Sequence, residues 1–276
     1  REDEGYGLNE AAIQKLADRH VKVLVTADCG TTSYEEIALA QRLGIDVIVT
    51  DHHQLQGEIP NPYAFLNPYR PSSSYPFQGL CSGGLAYKVA KAYSMKYPTF
   101  EVLPGEHLDL VALSSVADVV PLCDENRLFV RKGLRRITKG TRSGIRALKQ
   151  VLGITGICSA STIGFRLAPL INAAGRLAHA DLGVSLLTNE SDAEALLIAK
   201  KLEQLNRARR EIEKDIFEEA KALVDEDKDL PVIVVGKRGW HMGVVGIVAS
   251  RLVERFHRPA IAVSYTHLTL PTNREV

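Results

Sequence analysis

The chain has 276 residues, 45% of them hydrophobic and 24% charged, with a formal net charge of +1. That is the make-up of an ordinary globular protein with room for one or two domains, and it excludes a global basic field, so any nucleic-acid contact must come from local clusters. Four scattered cysteines with no C-x-x-C pair argue against a structural zinc or redox motif, and the lack of a signal peptide or of an apolar run near ~18 residues predicts a cytoplasmic protein with free thiols and no membrane contact.

The opening "REDEGYGLNEAA" lacks a Met and reads as the middle of a longer chain. "NEAAIQKLADRH" spaces Ala12, Ile13, Leu16 and Ala17 as a helix does. "VKVLVTADCG" is a short β-branched run, hence a strand. "SYEEIALAQRLG" reads as a helix, with Ser33 and Glu36 as a capping box and Gly44 as its stop. "IDVIVTDHH" is the next strand. This alternation predicts an α/β fold with a parallel sheet and crossover helices. "PNPYAFLNPYRPSSSYPFQGLCSGG" reads as a long loop, "GGLAYKVAKAYSMKY" as a helix, and "LDLVALSSVADVVPL" as an apolar helix or strand that delivers Asp118. "RLFVRKGLRRITKGTRSGIRALKQVLG" is helical and locally basic. "SDAEALLIAKKLEQLNRARREIEKDIFEEAKALVDE" reads as one long helix capped by Ser191 and Glu194, long enough to connect two domains. "DLPVIVVGKRGWHMGVVGIVASRLVERFHRPAIAVS" then restarts β-α-β, and "YTHLTLPTNREV" follows without strand or helix logic, as a segment foreign to the fold would.

Asp28 and Asp51 fall just past the C-terminal ends of their strands, the edge where open α/β sheets bind ligands. The sheet therefore brings Asp28, Asp51, His52 and His53 to one rim. Asp28, His52 and Asp118 together form a carboxylate–imidazole–carboxylate set that suits Mn²⁺ and, because of the imidazole, suits Mg²⁺ less well. A second divalent ion bridged through one Asp gives a two-metal phosphoryl-transfer site. The same residues also fit a plainer pattern, with Asp51 capping a turn, two surface histidines, and Asp118 capping a helix. Arg166 and Arg176 stand among small residues, as phosphate clamps or as surface-pairing cations. Arg207, Arg209 and Arg210 in "NRARR" read as a solvated helix face. "GKRGWHMGVVGI" holds Trp240 and His241 either in a packed turn or on a platform for a single strand, with Lys237 and Arg238 on phosphate.

Several of these segments resemble a known family. "GYGLN", "VTADCGT", "VIVTDHH", "YPFQGLCSGG", "SSVADVVPL", "RLAPLINAAGRL" and "GWHMGVVGIVASRLVERFHRPA" are similar to the RecJ-type single-strand-specific exonucleases of the DHH phosphoesterase superfamily, from about Glu4 to Ser264. The resemblance implies a 5′→3′ exonuclease on single-stranded DNA that uses Mn²⁺ or Mg²⁺ and releases nucleoside 5′-monophosphates in DNA repair and recombination. It implies Asp28 as the metal-bridging carboxylate, His52 and Asp118 as further ligands, His53 facing the scissile phosphate, and Asp51 supporting the cluster. Arg176 and Arg166 would contact substrate phosphate; Trp240 and His241 stay substrate-binding candidates from the glycine-dense segment itself, not from the resemblance. It implies a DHH domain over 1–188, a connector helix over 189–228 and the start of a DHHA1-type domain over 229–264, leaving the segment read as non-native as a tail over 265–276. A D-x-D metal motif is then expected before Arg1, and further DHHA1-type and nucleic-acid-binding parts after Ser264, so that this chain alone is expected to be weak or inactive and monomeric. The competing readings are a DHH phosphodiesterase acting on short oligonucleotides or cyclic dinucleotides, a non-catalytic DNA-binding scaffold, and a metabolite-binding α/β protein.

Overall fold

A computed structural model describes residues 7–99, 103–224 and 231–265. The chain divides into two compact units, Arg1–Ala168 and Pro169–Val276.

The first unit opens with α1 (Glu10–Asp18), β1 (Val23–Ala27), α2 (Tyr34–Arg42), β2 (Asp46–Thr50) and β3 (Ala64–Leu66). Asn9 caps α1 by accepting from the amide of Ala12, and Ile13 is the helix's buried anchor. The three strands form a parallel sheet in the order β1-β2-β3, as the α-β-α-β alternation predicts. The register Val23↔Asp46 to Ala27↔Thr50 ends β1 and β2 level with one another. Ile13, Ile37, Ala40, Ile45, Val47, Val49 and Phe65 fill the core beneath the sheet. Gly44, at φ +76°, ends α2 as expected. Ser33 departs from expectation: its side chain makes no capping bond, because its backbone (φ −91°, ψ 51°) lies outside the extended region from which a serine hydroxyl reaches the first-turn amides. β3 is a second departure, a strand inside the segment read as loop.

The remaining elements of this unit are α3 (Ser82–Lys96), a 3₁₀ turn (Pro104–His107), α4 (Leu108–Ala117), α5 (Asp124–Lys139), α6 (Ser143–Val151), α7 (Ala160–Thr162) and a π-helical turn (Ile163–Leu167). The basic stretch read as helical is two helices, divided at Gly140, whose left-handed φ of +66° closes α5 and starts the turn into α6. α4 and α5 pack as an antiparallel hairpin. A Cβ on Gly133 of α5 would stand 2.1 Å from the carbonyl oxygen of Leu108 and 2.4 Å from Ala112 Cβ, so only glycine permits this approach.

The second unit comprises α8 (Ala168–Leu177, entering at the boundary), α9 (Asp181–Thr188), α10 (Asp192–Ala222), β4 (Ile233–Arg238), α11 (Met242–Phe256) and β5 (Ala260–Tyr265). The family resemblance implies a first boundary at residue 188; the compact first unit ends at Ala168, so α9 falls in the second unit with the long helix. Ser191 accepts from the Glu194 amide as expected, while the Glu194 carboxylate accepts from Asn189. β4 and β5 are parallel and joined by α11, the β-α-β restart the sequence predicts. Ile216, Phe217 and Ala220 of α10 pack with Ile233, Val235, Trp240, Val244, Val248 and Leu252. The expected connector is thus also core. Arg209 corrects the reading of "NRARR" as a solvated face: it is buried, donating to Asn206 and Glu213, whereas Arg207 and Arg210 are exposed. Tyr265, the first residue of the tail expected to be foreign, pairs with Arg238 at the end of β5; residues 266–276 of that tail lie outside the described residues, as do the first six of the chain and 225–228 of the expected connector.

Candidate metal centre

The level ends of β1 and β2 set the site. The Asp28 amide donates to the Thr50 carbonyl at 3.1 Å, which extends the pairing one residue past β1. Asp28 then turns through φ +68°, a conformation that costs a non-glycine residue free energy and recurs at functional sites. Gly30, at φ +111°, completes the turn; a Cβ there would meet Thr26 Oγ1 at 3.0 Å. Ser82, in the first turn of α3, donates its hydroxyl to Asp28 Oδ1 at 2.9 Å and fixes the carboxylate.

Asp51, at the end of β2, is 1% exposed. Its carboxylate accepts from the amides of Thr31 (3.0 Å), His52 (2.8 Å) and His53 (3.3 Å) and from His53 Nδ1 (2.7 Å). Burial opposes its charge, but these donors, led by Thr31 and His53, hold its pKa below the ordinary value. An ionised carboxylate only accepts, so His53 Nδ1 carries the hydrogen and Nε2 is left for the rim. The His53 side chain is 52% exposed. Buried Asn67 locks this wall, donating to Thr31 Oγ1 (3.0 Å) and to the His53 carbonyl (2.9 Å) while accepting from the Tyr69 amide.

Asp118 arrives at the C-cap of α4, its amide donating to the Ser114 carbonyl. The next residue, Val119, sits at φ +56°, an outlier for a β-branched side chain. α4 is held to α3 where Gly83 faces Ser114: a Cβ on Gly83 would stand 2.0 Å from Ser114 Oγ. The glycines at 83 and 133 therefore bring α3 and α5 onto α4, the helix that ends at Asp118.

These three walls meet on His52. Its Nε2 lies 3.2 Å from Asp28 Oδ1 and 3.2 Å from Asp118 Oδ2. That nitrogen is enclosed and has no hydrogen-bond partner, so both oxygens are near it but off the hydrogen-bonding direction. Asp28, before Asp118, raises the His52 pKa against burial. His52, with Ser82, lowers that of Asp28 against burial. Burial raises Asp118, with His52 opposing. An enclosed imidazole nitrogen converging with two carboxylate oxygens is the donor set of a divalent cation. The candidate ligand atoms of Asp28, His52 and His53 also lie within 4.8 Å of one another. The Asp51 bond occupies only Nδ1 and leaves His53 Nε2 able to ligate as well; Asp118, whose Oδ2 lies 3.2 Å from His52 Nε2, is a further carboxylate at the same point.

The remaining expected residues lie elsewhere. Arg166 is exposed, and its Nη2 donates to the Leu152 carbonyl at 2.5 Å. In the second unit, Arg176 Nη1 donates to the Gly243 carbonyl at 2.9 Å. Trp240 corrects the stacking-platform reading: it is 4% exposed, its ring lies in the core, and Nε1 donates to Glu219 at 2.7 Å. His241 is the N-cap of α11, Nδ1 accepting from the Gly243 amide at 3.0 Å. Sequence patterning does not single out Ser82, Thr31 or Asn67; "GLCSGG" marks Ser82 only by its neighbours.

A parallel sheet with Asp and His side chains at its C-terminal edge is the setting in which residues 4–114 match the DHH family, N-terminal domain. The chain is similar to RecJ. It is 42% identical to the single-stranded-DNA-specific exonuclease RecJ of Bacillus subtilis (strain 168), over 94% of this chain and 33% of that protein. A crystal structure of exonuclease RecJ bound to manganese matches 96% of this chain and 66% of its own, with TM-score 0.84 and 32% identity. RecJ from Thermus thermophilus in complex with Mg²⁺ matches 92% of this chain and 42% of its own, with TM-score 0.65 and 27% identity. The chain spans between a third and about half the length of the curated RecJ relatives it matches.

Proposed function

We propose that this chain carries one wall of the metal site of a 5′→3′ exonuclease that hydrolyses single-stranded DNA to nucleoside 5′-monophosphates with Mn²⁺ or Mg²⁺, in DNA repair and recombination. The observation that carries this is His52 Nε2, enclosed without a hydrogen-bond partner between Asp28 and Asp118. The similarity to RecJ, a single-stranded-DNA-specific exonuclease, supports the substrate, and the 5′→3′ polarity is what the family resemblance of the sequence implies.

Asp28, His52 and Asp118 would hold the cation, and Ser82 keeps Asp28 oriented. When bound, a divalent ion supplies Lewis-acid stabilisation of a phosphoryl oxygen and lowers the pKa of water. Asp51 holds His53 so that Nε2 faces the rim, where a phosphate oxygen can accept from it when the ring is protonated. Arg166 is the first unit's candidate for substrate phosphate. Arg176 and His241 have complete structural roles within the second unit without a ligand, and any DNA contact they make adds to those roles. A cytoplasmic monomer belongs to the same reading. Among the described residues no helix is long and apolar enough to cross a membrane.

The test is Mn²⁺ titration calorimetry on the chain and on His52→Ala, with digestion of a 5′-phosphorylated single strand alongside. Loss of Mn²⁺ binding by at least about a hundredfold in His52→Ala is expected, since removing a ligand should cost no less than removing the supporting partners of ligands, about 10–100-fold. Equal binding in the two proteins would remove the metal assignment. Cleavage in both that is insensitive to chelator would remove the reaction.

A further inference from the structure

Between Asn126 and Ala168 there is no Asp or Glu, while ten residues are Lys or Arg. The net charge of +1 conceals this segment. Apart from half-buried Arg136 and from Arg166, which donates to the Leu152 carbonyl, the structure divides its cations into two groups. Those of α6 and its approach are engaged within the protein. Arg142 grips buried Asp109 through Nε and Nη2. Arg146 donates to the Gly140 carbonyl and Ser143 Oγ, and Lys149 donates to the carbonyls of Ile137 and Thr138. The exposed cations of α5 are not engaged in this way. Arg127, Arg131, Lys132, Arg135 and Lys139 all face solvent, and none has an ion-pair or hydrogen-bond partner among the described residues.

Their spacing is regular. Arg127, Arg131, Arg135 and Lys139 follow one another at intervals of four, so they line one face of the helix, about 6 Å apart from a rise of about 1.5 Å per residue. The opposite face carries Asn126, Phe129, Val130, Gly133 and Ile137, which are buried. The α4–α5 hairpin places the Arg127 end of the stripe at the same end of the hairpin as Asp118, and the stripe runs away from it. Glu125, the acid nearest in sequence to that end, is held by Tyr75 and Lys88. Repulsion among unpaired cations at i,i+4 destabilises a helix, so a stripe with no internal partner calls for an external one.

We infer that the exposed face of α5 is a binding track for the phosphate backbone of a nucleic-acid strand, outside the metal centre. A linear row of guanidinium and ammonium groups matches a linear row of phosphates. The face has no exposed aromatic residue for base stacking, so the track grips the backbone without reading sequence. It adds affinity and positions the strand rather than selecting it. The inference rests on the nucleic-acid substrate proposed above but not on the metal chemistry, and the experiment separates the two.

The experiment is fluorescence anisotropy of labelled oligo(dT) and of a labelled duplex, titrated in EDTA with the chain, with His52→Ala and with the double variant Arg131→Glu/Arg135→Glu, between about 50 and 200 mM salt. The reversal variant is expected to bind oligo(dT) at least tenfold more weakly. Its plot of log K against log salt should be shallower by about 1.4, from roughly 0.7 for each single-strand phosphate that is no longer neutralised. Arg131→Lys/Arg135→Lys should restore both, and His52→Ala should match the parent chain in EDTA. Parallel losses on oligo(dT) and duplex assign the shared backbone chemistry; loss on the duplex alone makes the track a duplex flank. An unchanged affinity and slope in the reversal variant, with its melting temperature preserved, overturns the track. So does a poly-glutamate peptide that binds through Arg131 and Arg135 while the oligonucleotides do not. If the track holds but Mn²⁺ binds the parent chain and His52→Ala alike, the metal reading fails and the nucleic-acid surface stands.

Discussion

His52 and His241 both sit where an element begins or ends, and their hydrogen bonding is opposite. His241 is finished: Nδ1 accepts from the Gly243 amide and caps α11. Its neighbours are finished too, Trp240 through Glu219 and Arg176 through the Gly243 carbonyl. Gly243 itself is required by packing, since a Cβ there would stand 2.3 Å from the carbonyl oxygen of Arg176. His52 is unfinished: its enclosed Nε2 lies 3.2 Å from each of two carboxylates, close enough to pair in charge, yet meets neither in hydrogen-bonding alignment. A protein rarely leaves a buried polar atom unpaired without reason. Chemistry-bearing residue types therefore do not by themselves mark a site; an unsatisfied, convergent geometry does.

The contrast is most exposed at Trp240. If the ring is core, Trp240→Ala removes a large buried side chain, at a cost of about 3–5 kcal/mol. Chemical denaturation should show that loss, while Mn²⁺ binding of the folded protein stays unchanged. A variant of near-parental stability that instead loses single-strand affinity would restore the platform reading and collapse the contrast.

A smaller effect bears on the other side. Asp51 touches no candidate metal position; it works through the amides of Thr31, His52 and His53 and through the His53 ring. Asp51→Asn keeps the shape and removes the charge and part of the accepting capacity. Supporting residues of this kind cost about 10–100-fold when changed, so calorimetry should find Mn²⁺ bound about tenfold more weakly, with cleavage reduced at least as much. An unchanged binding constant would demote Asp51 to a turn cap.

How much of this is legible in the sequence follows from range. Asp28 and Asp51 are visible because each directly follows a β-branched apolar run, and a parallel sheet aligns such ends. Asp118 is visible as a lone acid in an apolar segment. β3 is not, because three residues, "AFL", between Asn, Pro and Tyr are too few to show a period. Ser82, Asn67 and Thr31 are hidden for another reason: each acts across dozens of residues, through turns whose meeting no local pattern encodes. The burial of Arg209 is hidden likewise, since its helix presents the same charges whether or not α11 lies against it. Arg251 of α11 also reaches Glu213, the partner of Arg209.

The finest test uses the fact that Trp240 is the chain's single tryptophan. Glu219 accepts from its indole N–H and pairs with Lys237; both partners, the indole first, hold its pKa below the ordinary glutamate value. A lowered folded-state pKa contributes stability that is present in full above the unfolded value and is lost as pH falls through the folded one. Tryptophan fluorescence should therefore be flat from neutral pH down to the ordinary glutamate range and change only below it. Glu219→Gln, which keeps an acceptor oxygen for the indole, should remove that acid-side step while leaving the spectrum at neutral pH nearly unchanged. Because the exposed carboxylate is screened by solvent, the stability change is expected to be the smallest of those considered. A fluorescence step that survives in Glu219→Gln would mean that the indole is not governed by this bond, and that Trp240 is less finished than the contrast with His52 requires.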